Sequence, residues 1–196
     1  MMTIEVFTRP GTLTASQREE LGRRLLTELM AEESAPESVL DSARALTNVL
    51  LHEPSTWVTN GAEPRYLVRV TVPGSWHTKG FGEHMIPRIT SLVASVEDDP
   101  ERLLREPHCQ VQIVGLKEHA VGTLGRVTTA TDITRLMTEG YRSSGERLEA
   151  APGTAIDPVC GMTVDLATAT ITLEHGGTLY AFCAPVCKKV FAEELA

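Results

Sequence analysis

The feature that most constrains this chain's fold is a succession of segments that occurs twice. "TIEVF" (residues 3–7) reads as a strand, "RPGT" as a turn, and residues 13–33 as an amphipathic helix. In that helix Leu21, Leu25, Leu26, Leu29 and Met30 recur at helical spacing behind a Thr14 N-cap. A proline-containing loop follows, then the strand "ALTNVLLHE" at 45–53. The order then restarts with "YLVRVTV" (66–72) as a strand, "PGSW" as a turn, 82–97 as a helix carrying Pro87, and "CQVQIVGLKE" (109–118) as a strand. Pro10-Gly11 falls on Pro73-Gly74 and Thr27 on Thr90, both at an offset of 63. A βαβ unit pairs two parallel strands and lays its crossover helix on one sheet face. Two copies therefore predict an α+β domain over residues 1–141, a four-stranded sheet with two helices on one face. "VTTATDITRLMTEGYR" (127–142) reads either as a short strand or as a terminal helix.

The stretch "RSSGERLEAAPGTA" (142–155) is small, polar and punctuated by Gly and Pro, which marks a linker. Three of the four cysteines lie beyond it, in a segment over 156–196. A net charge of −8 and a pI near 5.3 give no global support to phosphate neutralisation, so nucleic acid is not an expected partner. No apolar run approaches the roughly 18 residues of a membrane span, and the beginning of the chain lacks a basic segment followed by an apolar one, so no membrane is expected either. The expected location is cytoplasmic. In that compartment cysteines are thiols, and a cluster of them favours metal ligation or redox chemistry over structural disulfides.

Cys160, Cys183 and Cys187 form the pattern C-x22-C-x3-C. Between the first two, "ATATITLEHGGTLYAF" reads as two short strands joined at Gly176-Gly177, and "APVCKKVFAEEL" as a helix with Pro185 in its first turn. This places Cys183 at a strand end and Cys187 one turn into the helix, with both sulfurs converging and Cys160 completing the set from the preceding loop. So few apolar side chains bury little surface, and a segment of this size needs a staple. Three thiolates suit Cu(I) in trigonal geometry, or Zn(II) if a fourth ligand joins, at one metal ion per chain. His175, the nearest imidazole in sequence, is a candidate further ligand, Asp157 is a candidate to cap or orient the loop and a weaker ligand candidate, and Lys188 and Lys189 are placed to offset thiolate charge.

"DPVCGM" (157–162) with "YAFCAPVC" (180–187) and the following Phe191 resembles the YHS domain, a small metal-binding module grouped with TRASH domains. Tyr180 fits its pattern, whereas Ala184 stands where a serine is usual. The resemblance implies a soft or borderline metal and a metal-handling protein partner. Residues 1–140 resemble the tautomerase superfamily of the 4-oxalocrotonate type, through Ile4 and Val6 in "MMTIEV" and through Glu53, Trp57 and Gly61. That resemblance implies a homotrimer. In the superfamily an amino-terminal proline is the general base, and Met2 stands at that place here, so proline-dependent tautomerase activity is not expected. The Met1 amine, Arg9, Arg69 and Arg126 are the residual catalytic or carboxylate-binding candidates. His52 and Glu53, adjacent on a strand, point to opposite faces, and Cys109 reads as a small buried residue.

Two functions follow. The first is a metal carrier, buffer or sensor on an oligomeric tautomerase-like platform. The alternative is an enzyme acting on a small carboxylate or carbonyl substrate with a base other than proline, its metal module regulatory or structural. A thiol–disulfide cycle between Cys183 and Cys187 is a third use of the same cysteines.

Overall fold

Strand β1 (Met2–Thr8) alternates fully buried with half-buried side chains, the period-2 signature of a strand packed on one face. The structure is a computed structural model describing residues 1–32, 34–145 and 148–195. Helix α1 (Ala15–Thr27) starts at Thr14, whose hydroxyl accepts from the Gln17 amide while the Gln17 side chain accepts from the Thr14 amide, a reciprocal capping box. Helix α2 (Glu37–Ala45) follows and leads into β2 (Thr47–His52), which pairs in parallel with β1. The second unit repeats the plan with β3 (Tyr66–Pro73), a 3-10 turn at Gly74–Trp76, α3 (Lys79–Ala94), the short α4 (Arg102–Arg105) and β4 (Cys109–Leu116), parallel to β3. Thr78 caps α3, which runs continuously through Pro87.

The two units join through antiparallel β1 and β3, giving the order β2-β1-β3-β4. Ile4, Val6, Val68 and Val70 point to the same side and pack in one core with Leu21 and Leu25 of α1 and Ile89 and Val93 of α3. Both crossover helices therefore lie on one face, and the duplicated βαβ sheet is as the repeat predicts. The opposite face is mixed. Glu5 stands beside Arg69 and His52, the His52 ring stacks on Phe7 at 4.5 Å, and Leu50 and Val114 are exposed.

The rest of the chain comprises β5 (Gly122–Thr123), β6 (Arg126–Val127), α5 (Ala130–Ser144), β7 (Thr154–Ile156), β8 (Thr163–Asp165), β9 (Thr172–His175), β10 (Thr178–Ala181) and α6 (Pro185–Glu194). The ambiguous stretch at 127–142 is mostly helical. Thr129 and Asp132 form a second capping box, and Gly145 closes α5 in the left-handed conformation. The β9–β10 hairpin turns through Gly176 and Gly177, both at positive φ.

The chain divides into compact units elsewhere than at the expected linker. Residues Met1–Ala31 and Thr47–Lys117 form one unit, and Glu32–Leu46 with Glu118–Ala196 form the other. Helix α2 packs on α5, and α5 on α6, where Arg135 and Arg142 pair with Glu193 and Glu194. The expected 1–141 domain thus cedes α2 and α5 to the cysteine-bearing unit, and α5 occupies the first positions of the expected 142–155 linker; Glu146 and Arg147 of that stretch lie outside the described residues. Among the described residues no helix is long and apolar enough to cross a membrane.

Candidate metal centre

The loop from β7 to β8 is closed by two backbone bonds, from the Asp157 amide to the Met162 carbonyl at 2.9 Å and from the Gly161 amide to the Asp157 carbonyl at 2.8 Å. Cys160 sits in this loop. Gly161 adopts φ +73°, and a Cβ there would stand 2.6 Å from Pro36 and 2.7 Å from the Tyr141 ring, so only glycine fits beside the cysteine. The Thr163 amide also donates to the Ser34 carbonyl at 3.2 Å. The segment before α2 and the body of α5 thereby seat the loop.

Cys183 follows β10, and Cys187 lies in the first turn of α6, whose start is set by Pro185. Phe182, Val159 and Val190 are fully buried around them, with Tyr180 and Phe191 tilted against each other at 4.7 Å. The Cys160 and Cys183 sulfurs are 3.5 Å apart and those of Cys183 and Cys187 3.7 Å. Disulfide sulfurs lie about 2.05 Å apart, so these are thiols. Sulfurs sharing one ion at about 2.3 Å stand about 3.8 Å apart in tetrahedral and about 4.0 Å apart in trigonal geometry, so the observed spacings lie close to those of a shared ion.

Asp157 joins them: one ligand atom from each of Asp157, Cys160, Cys183 and Cys187 lies within 4.8 Å of all the others. Its carboxylate is also the knot between the two cysteine loops. Oδ1 accepts from the amides of Val159 at 2.9 Å and Cys160 at 3.4 Å, and Oδ2 from the Cys183 amide at 2.9 Å. Burial, and then the charge of Cys160, raise its pKa to about 6. The Cys160 thiol is lowered to about 4 because Cys183 and then Cys187 hydrogen-bond to it; those two are pushed well above the thiol range, chiefly by the same contact with Cys160. The hydrogen bonds among the three sulfurs therefore favour Cys160 as the first to lose its proton.

The three sequence-predicted cysteines come together, whereas His175 lies exposed at the end of β9, outside the group of four. Lys188 is half-buried and Lys189 exposed, the latter 3.9 Å from Glu193. Arg126 is exposed on β6. In the sheet unit, Arg9 donates to Thr59 Oγ1 at 2.7 Å and to the carbonyls of Gly61 and Ala62, pinning a loop. Arg69 lies 3.8 Å from Glu5 and over the Phe7 ring. Glu53 accepts from the Gly11 amide and from Arg18. Burial lowers the Met1 amine to about 6 and raises the Cys109 thiol to about 11. The structural role of Asp157 had one sequence signal: it opens "DPVCGM", two residues before the first of the amides it accepts.

No family profile matches the chain. Solved structures with a similar course of the chain include a fused 4-OT symmetric trimer, 16% identical, covering 66% of this chain and 97% of that one at a TM-score of 0.49. Another is macrophage migration inhibitory factor from Oncomelania hupensis, 10% identical, with coverages of 65% and 97% and a TM-score of 0.48. A member of the cis-3-chloroacrylic acid dehalogenase family is 20% identical, with coverages of 64% and 82% and a TM-score of 0.47. These likenesses carry nothing about chemistry. Among curated proteins, a copper-transporting P-type ATPase of Rhizobium leguminosarum bv. viciae is 46% identical over 44 residues, 22% of this chain and 5% of the ATPase.

Proposed function

We propose that the cysteine-bearing unit holds one soft or borderline metal ion per chain, Cu(I) or Zn(II), through Cys160, Cys183 and Cys187, and that the chain acts as a carrier, buffer or sensor of that ion. The observation that carries this reading is the convergence of three sulfurs at 3.5 and 3.7 Å from two separate loops. The local likeness to a copper-transporting ATPase points the same way. Cys160 and Cys187 are buried and Cys183 is exposed. An ion there is reached from the Cys183 side, which suits exchange with a protein partner bearing soft ligands. Binding requires the thiols to lose protons, so ion uptake releases acid and weakens as pH falls. The homotrimer belongs to the same proposal, with Phe7, Leu50, Leu67 and Val114 on the open sheet face covered by other copies; sedimentation tests it.

The deciding experiment is titration of the full chain with Cu(I) and Zn(II) against a chromophoric chelator, with elemental analysis of the product. One equivalent per chain, lost in Cys183→Ser, is the expected result. Equal affinity in wild type and Cys183→Ser would defeat the reading.

A further inference from the structure

We infer that Asp157 positions Cys160 and Cys183 while staying outside the coordination sphere, so that the chain offers three sulfurs and no fourth ligand, a site made for Cu(I) rather than Zn(II). The inference rests on the metal-binding reading above and names the ion and the device that selects it.

The carboxylate of Asp157 is fully buried and accepts three backbone amides, all from the two segments that carry the thiols. Oδ1 serves the amides of Val159 and Cys160, and Oδ2 serves the amide of Cys183. One side chain thus sets the spacing of two loops that are separate in sequence. Drawing either oxygen onto an ion makes the ion compete with these amides for it, and a buried N–H that loses its acceptor is costly. The same competition loosens the segment that delivers a sulfur, so ligation by Asp157 works against ligation by Cys160 or Cys183.

The remaining sources of a fourth ligand are few. Among the described residues the group of His, Cys, Asp and Glu around these sulfurs contains only the three cysteines and Asp157. His175 stands exposed beside the Gly176-Gly177 turn. Thiolates bind both ions, but structural Zn(II) sites are almost always four-coordinate, whereas Cu(I) is content with three sulfurs.

The test uses the full chain as wild type, Asp157→Asn and, as a control, Asp165→Asn, whose carboxylate accepts the Ala167 amide at 2.9 Å without touching a cysteine. Asparagine keeps one oxygen and puts an NH2 donor against an amide that needs an acceptor. Cu(I) affinity is read by chelator competition, Zn(II) affinity likewise, and the ligand set by X-ray absorption at the metal. Wild type is expected to show three sulfur scatterers per copper with no oxygen, and to keep Cu(I) in the presence of excess Zn(II). Asp157→Asn is expected to bind Cu(I) about 10- to 100-fold more weakly with the same three sulfurs, the range for residues that orient ligands, and Asp165→Asn to bind as wild type. An oxygen scatterer in wild type, Zn(II) displacing Cu(I), or undiminished affinity in Asp157→Asn would each overturn the inference while leaving metal binding intact. The wild-type spectrum decides even if the variant fails to fold. A wild type that takes up neither ion would overturn both.

Discussion

The sheet unit and the cysteine unit are held together by different means. Under the sheet, one continuous cluster of buried side chains runs from Met2 through Leu25 and Val70 to Leu103, aliphatic almost throughout. Around the cysteines the corresponding cluster is Val159, Cys160, Phe182, Cys187 and Val190, so two of its members are thiols. The first unit owes its stability to apolar burial, which needs no cofactor. The second surrounds its thiols with a small apolar shell and adds the packing of α2 on α5 and of α5 on α6. Two of the five buried positions there therefore go to thiols rather than to larger apolar side chains.

Substitutions in each unit sharpen that contrast. Cys183→Ser should cost at least about a thousandfold in metal affinity, because apparent binding free energies of about 10–16 kcal/mol at thiolate sites are spread over few ligands. The melting of the sheet unit should not change, as differential scanning calorimetry would show. Leu25→Ala, in the fully buried core, should destabilise the sheet unit by about 2–5 kcal/mol in denaturant titration, with metal affinity unaltered. Gly161→Ala forces a Cβ into Pro36 and Tyr141 at a positive φ; a loss of about 2 kcal/mol from the cysteine unit is expected, accompanied by weaker metal binding. If this variant binds as wild type, the seat on α2 and α5 plays no part in the site.

The smallest effect concerns pH. Burial raises the Cys109 thiol from 9.0 to about 11, so its neutral form is the one the fold favours. The associated stability is fully present below pH 9 and is lost as pH rises through about 11. Thermal melts of wild type should therefore decline more steeply than those of Cys109→Ala between these values. Parallel curves would show that the site imposes no such penalty.

The sheet was legible because its signals are local and repeated: alternation in "TIEVF" and "YLVRVTV", caps at the predicted Thr14 and at Thr78, and a common offset. The hairpin and α6 were legible from Gly176-Gly177 and Pro185. Helix α2 was not. Its nine residues bury Val39 and Ala43, and their partner α5 lies far along the chain, so nothing adjacent announces the packing. The unit boundaries were hidden for the same reason: a break in composition at 142–155 marks a change of sequence, whereas the contacts follow α2 and α5. In the centre, the cysteines showed their convergence through spacing, but the link from Asp157 to the Cys183 amide spans 26 positions and exists only after folding.

The proposed metal site requires Cys160, Cys183 and Cys187 to act as one while Cys109 belongs to a core. Its most direct test is alkylation of the native full chain with iodoacetamide, with and without one equivalent of Cu(I), read cysteine by cysteine by mass spectrometry. One equivalent is expected to protect Cys160, Cys183 and Cys187 together and to leave the slow labelling of Cys109 unchanged. Protection of none of the three, or of one without the others, would contradict it.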